Sequence, residues 1–175
     1  MTADMLLYLF QLLLVGAALE DIWRLRISNV FPVAILLSYF GWLVVVGFST
    51  DIWQNAALFA LVFAAGTVLF AKGWLGGGDV KLLAAASAWF DLAGGAALLA
   101  YVAIGGGLVG LGFIMLRRLT PAAIRDGAGW VGLKTRGPIP YGLAIAAGAI
   151  LCLHLYGVNP ERVGALQAFL KGASY

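Results

Sequence analysis

The 37 residues from Val80 to Leu116 carry only two charged side chains, Lys81 and Asp91. As one helix this stretch would be about 55 Å long, far more than a hydrocarbon core of about 30 Å can hold. It therefore reads as two membrane crossings, joined at Asp91 to Gly95, where an acid and a Gly-Gly pair give the turn signal. The rest of the chain divides in the same way. Apolar runs extend from Met5 to Leu19, from Val30 to Phe48, from Ile52 or Ala56 to Ala71, and from Ile139 to Tyr156. The polar cluster from Glu20 to Asn29, the turn Ser49 to Asp51, the glycine-rich Lys72 to Gly78 and the basic segment Arg117 to Arg136 separate them. Pro138 and Pro140 open the last run, where a missing N–H costs least.

The expected fold is all-α: a polytopic membrane helix bundle of about six transmembrane helices, forming one domain over residues 1–175. With 63% hydrophobic and 11% charged residues and a mean hydropathy of +0.99, the chain has no room for a soluble domain. Nothing in it suggests nucleic-acid binding. Its one cysteine, Cys152, excludes an internal disulfide and a cysteine zinc site, and no metal or other cofactor is expected. The oligomeric state is not legible.

Charge sets the expected orientation. Six crossings place the loops after the first, third and fifth on one side, and these hold Arg24, Arg26, Lys72, Lys81, Arg117, Arg118, Arg125, Lys134 and Arg136. The other side has Arg162 and Lys171. The bias puts the three basic loops in the cytoplasm, both termini outside, and the chain in the cell's inner membrane among its lipids. The first residues include Asp4 and no Lys or Arg, which does not fit a cleaved signal peptide. The basic loop 117–136 is expected to hold topology against anionic lipid.

Two acids stand out: Asp21 at the end of the first run, and Asp79 directly after Gly76, Gly77 and Gly78. A carboxylate beside hydrocarbon seldom persists without a partner or a role. The topology places both on the cytoplasmic side, where two close carboxylates can act as acid and base. The plain alternative for each is a helix cap or a headgroup-level charge. The glycine triplet would let another backbone, such as that of an extended substrate, come very close beside Asp79; its plain alternative is a flexible turn. Helix ends suggest Asp21 as the acid, near a C-terminus, and Asp79 as the base, near an N-terminus with Lys81 close by.

Three segments resemble the type IV prepilin peptidases, and most closely the short forms of tight-adherence (Flp) pili, which are membrane aspartyl proteases of the Gly-x-Gly-Asp class. They are Asp21 followed by Ile27-Ser28-Asn29, then Gly76-Gly77-Gly78-Asp79 with Lys81, and IPYGLAIAAG from Ile139 to Gly148. The resemblance implies Asp21 and Asp79 as catalytic residues, with Lys81 and Asn29 in support. It implies a prepilin substrate with a short basic leader and an apolar helix beyond the cleavage site. Ser28 stands where many relatives have proline, and the paired cysteines of the methylating long forms are missing, so cleavage without N-methylation is expected.

Other residues have plainer readings. His154 lies at the far end of the last crossing from the acids, and the glycines from Gly105 to Gly112 have the spacing of close helix packing. Glu20 should point away from Asp21 as a headgroup-level charge. Trp23, Trp42, Trp53, Trp74 and Trp130 fall where interfacial anchors would. The rival function is a small proton- or cation-coupled transporter using the same acids. Its usual midplane site and repeated halves are not evident in the sequence. A third reading, an inactive assembly protein, would be marked by loss of an acid, and both are present.

Overall fold

The structure is a computed structural model that describes residues 2–121 and 137–158. Six helices run through them: α1 (Ala3–Arg24), α2 (Val30–Val46), α3 (Ile52–Ala71), α4 (Gly77–Ser87), α5 (Leu92–Leu119) and α6 (Tyr141–Leu155). There is no strand among the described residues. Three of the helices, α1, α3 and α5, are long and apolar enough to cross a membrane, and α2 and α6 are shorter apolar helices. The protein is a multi-pass helical bundle.

Helix α4 departs from the even crossings expected of it. Its 11 residues give only about 16 Å of helix, about half a hydrocarbon core. It lies inside the bundle, packed against α2, α3 and α6, while α1 joins α2 to α6 and α5 joins α6 to α3. Val80, Leu82, Ala84, Ala85, Ala86 and Ser87 are all buried. The small side chains let neighbouring helices close around it, as small residues do where lipid supplies no hydrophobic drive for association. Gly66 of α3 sits against Val80 in the same way. The ring is loosest between α2 and α3, where an apolar groove of about 340 Å³ opens beside Pro32, Phe59 and Phe63.

The break between α4 and α5 also differs from its expected form. The turn is Ala88–Phe90; Asp91 caps α5 by accepting the N–H of Gly94 at 2.6 Å, and Gly94 and Gly95 are helical. The glycine pair is a contact surface: a Cβ on Gly95 would run into Leu58 of α3. Asn55, only 1% exposed, holds the turn from α3, donating its Nδ2 to the carbonyls of Ala88 at 3.0 Å and Phe90 at 2.9 Å. Replacing Asn55 with leucine, similar in size, should destabilise the purified protein by about 2 kcal/mol, since two carbonyls lose their donor. A thermal unfolding midpoint unchanged from wild type would show that the turn holds itself.

Trp42 is another correction. It is fully buried, and with Tyr39, Phe10 and Trp89 it forms the aromatic centre of the core, the Phe10 and Trp89 rings stacking at 4.5 Å. Trp23, Trp53 and Trp74 are exposed, as anchors would be. Trp130, Arg125, Lys134, Arg136, Arg162 and Lys171 lie outside the described residues, with most of the basic loop and its expected role. Arg117, at its start, donates to the carbonyls of Gly137 at 2.8 Å and Pro138 at 3.0 Å, tying the end of α5 to the approach of α6.

Candidate active site

The first acid is delivered by the inner face of α1. Leu6, Phe10, Leu14, Ala17, Ala18 and Asp21 are its buried residues, recurring at the three- and four-residue steps of one helical stripe. The opposite face shows Tyr8, Leu12, Leu19 and Trp23 to the lipid. Asp21 thus ends a packing stripe and is itself 5% exposed. One turn later the helix stops at Leu25, whose left-handed φ of 53° lets its N–H return to the Asp21 carbonyl at 2.7 Å. A β-carbon disfavours that conformation, so tertiary contacts hold it.

Glu20 helps to hold it. Its carboxylate accepts the Ser28 N–H at 2.8 Å and pairs with Arg24 at 3.4 Å, folding residues 25–28 back over the end of α1. It was expected to stand apart at headgroup level; instead it lines the same cleft as Asp21.

The second acid comes from the first turn of α4. Gly76 is the extended cap, and Gly77, Gly78 and Asp79 follow in the helix. Each glycine already faces a neighbour. A Cβ on Gly78 would lie 3.1 Å from Ile27 Cβ and 3.3 Å from the Ile27 carbonyl, one on Gly77 would meet Phe70 at 3.3 Å, and one on Gly76 would meet Asp79 Oδ2 at 2.6 Å. The backbone brought close to the triplet in the structure is the protein's own, at Ile27. Lys81 reaches across to donate to Asn29 Oδ1 at 2.9 Å, a second tie between α4 and the loop after α1.

These ties bring the two acids together. Asp21 and Asp79 line one cleft of about 660 Å³ with Glu20, Asn29, Lys81 and the three glycines. One further contact reaches the pair: the N–H of Gly142, in the first turn of α6, donates to Asp21 Oδ2 at 2.7 Å. Among the described residues no three His, Cys, Asp or Glu side chains gather as a metal site. Two carboxylates carried by different helices thus face one polar cleft.

A model of the type IV leader peptidase family matches residues 7–111, which include both aspartates and the glycine triplet. The chain belongs to that family. Searches of curated proteins and of solved structures returned no match. The family member is accordingly a leader-peptidase-like protease built as a multi-pass membrane protein.

The remaining sequence candidates separate clearly. The ring of His154 bonds to the Ile150 carbonyl of its own helix at 2.8 Å, near the opposite end of α6 from Gly142. Gly105 approaches Ala144 of α6, and Gly106 lies under the Tyr141 ring, whereas Gly107, Gly110 and Gly112 face nothing within 4 Å. The glycine run is therefore a packing seam in one part only. Gly142 was not picked out individually, and Glu20 was picked out only as a headgroup-level charge. The signal for Gly142 was the IPYG segment, which carried a resemblance without a stated role.

Proposed function

We propose that the protein is an aspartic-type endopeptidase that removes the short leader of type IV prepilin-like precursors, of the Flp kind, with Asp21 and Asp79 as its catalytic pair. The observation that carries this is the meeting of two acids, supplied by different helices, in a polar cleft otherwise enclosed by a membrane bundle. Two carboxylates at close quarters do not both ionise cheaply, so the pair shares one proton. The ionised member takes a proton from water as it attacks the scissile carbonyl, and the protonated member hydrogen-bonds to that carbonyl oxygen. The tetrahedral intermediate then collapses with proton transfer to the leaving nitrogen, giving a new carboxylate on the leader and a free amine on the pilin. Water is the co-reactant, and no covalent enzyme adduct, metal or organic cofactor enters.

The positive-inside bias supports a cytoplasmic face for the cleft, in the inner membrane. Lys81 and Asn29 support the site by holding α4 against the loop that follows α1. The absence of paired cysteines from the sequence supports cleavage without methylation.

The transporter reading is separated by one experiment. Purified protein is reconstituted in vesicles with a pH-sensitive dye and then supplied with a leader-bearing precursor. Consumption of the precursor with no proton flux is the expected result. Flux across the vesicle wall with the precursor intact would replace the protease with the transporter.

A further inference from the structure

The Asp21 carboxylate takes a direct backbone hydrogen bond from a helix outside the matched stretch of the family. Gly142 is the second residue of α6, so its N–H is among the donors that a helix start leaves without a partner in its own helix. The cap position is Pro140, and no side chain there caps the helix. The vacant donor meets Asp21 Oδ2 in a buried setting, 121 positions away in sequence. Only glycine permits this approach: a Cβ at position 142 would lie 2.9 Å from Asp21 Oδ2, 3.1 Å from Asp21 Cβ and 2.9 Å from Ile27 Cδ1.

The donor is itself held in place. Tyr141, the residue before it, fills the space over Gly106 of α5, and Arg117 grips the Gly137 and Pro138 carbonyls just ahead of α6. The first turn of α6 is thereby fixed to α5 on one side while it touches Asp21 of α1 on the other.

We propose that Gly142 is a positioning residue of the catalytic pair: its N–H clamps Asp21 Oδ2, leaving Oδ1 to exchange protons with water and Asp79. This rests on Asp21 and Asp79 being that pair. An N–H donor also favours negative charge on the carboxylate that accepts it. Lys81, expected to do the same for Asp79, is turned to Asn29.

The test is steady-state cleavage of a leader-bearing pilin precursor by the purified full-length protein. Gly142→Ala should lower kcat about 100-fold with KM changed by no more than about twofold, because it displaces a reacting group without touching the substrate. Ile27→Val removes the Ile27 Cδ1 obstruction but not the clash with Asp21, so Gly142→Ala/Ile27→Val should be as slow as Gly142→Ala. Gly105→Ala, at the seam of α5 with α6 and with only ordinary contact at Ala144, should cleave as wild type. Replacing the residue 142 amide by an ester, through glycolic acid, removes the donor and adds no side chain; kcat should fall about tenfold. The ester decides the matter if Gly142→Ala does not fold. Wild-type kcat in the ester, or recovery of Gly142→Ala by Ile27→Val, would overturn the proposal and leave Gly142 a packing glycine. If Asp21→Asn cleaves as fast as wild type, the pair itself is wrong and Gly142 has nothing to position.

Discussion

Asp79→Asn is expected to lower kcat for precursor cleavage by about 10³-fold, with KM little changed, and Asp21→Asn should do the same. An amide keeps the shape of the carboxylate but can neither take a proton from water nor deliver one. The two acids act on one proton inventory, so removing the second after the first removes little more. The double variant should therefore be no slower than the slower single variant, the non-additivity of groups that work as a unit. Losses that multiply would mean two independent sites. Folding is not the confounding factor it would be for larger changes, because asparagine is isosteric with aspartate. Its side-chain oxygen can still accept the Gly142 N–H that reaches Asp21 at 2.7 Å. Equal amounts of each variant in the membrane, with the kcat loss intact, would assign the effect to chemistry.

Gly78→Leu should remove most activity, about 100-fold in kcat, while leaving the protein in the membrane. The reason lies in the backbone at Ile27, whose carbonyl would stand 3.3 Å and whose nitrogen would stand 3.4 Å from the new Cβ. A side chain could rotate away from such a contact, but a main chain cannot. The loop after α1 must shift, taking with it the Asn29 partner of Lys81 and the register between Asp21 and Asp79. Gly107→Leu is the matched control, since a Cβ there meets nothing within 4 Å. Membrane abundance and cleavage rate of the two variants, measured side by side, check the idea. If Gly78→Leu keeps wild-type activity, the close approach of the loop to α4 is dispensable.

Helix boundaries were legible where a polar or glycine interruption marks them. The starts at Val30 and Ile52 and the end at Ala71 fall as the hydropathy runs indicate. The inward faces were not legible, and the reason is the solvent. In lipid the outer face is as apolar as the core, so Leu12, 68% exposed, and Leu14, fully buried, cannot be told apart by polarity. Trp42 illustrates the same limit, since tryptophan suits both an interfacial belt and a packed aromatic cluster. Gly94 and Gly95 look like a turn because flexibility and small size leave the same letter in the sequence; only the neighbouring Tyr156 and Leu58 show that size was what mattered.

The two acids stood out because charge is costly in hydrocarbon, and the basic loops predicted both on one side; the structure has them lining one cleft. The contacts that bring them together were not. Glu20 bonds to Ser28 and Lys81 to Asn29 across loops whose path no periodicity describes. Gly142 contributes a backbone N–H, a group that every residue except proline possesses and that no residue type announces.

The most direct test of the central claim is mass analysis of a full-length pilin precursor after incubation with the purified protein in detergent or lipid. Wild type should yield one cut at the leader junction and a mature chain with an unmodified amino terminus, while Asp21→Asn and Asp79→Asn leave the precursor whole. An uncut precursor with active, folded wild type, or an equal cut with either asparagine variant, would contradict the assignment of these two carboxylates as a peptidase pair.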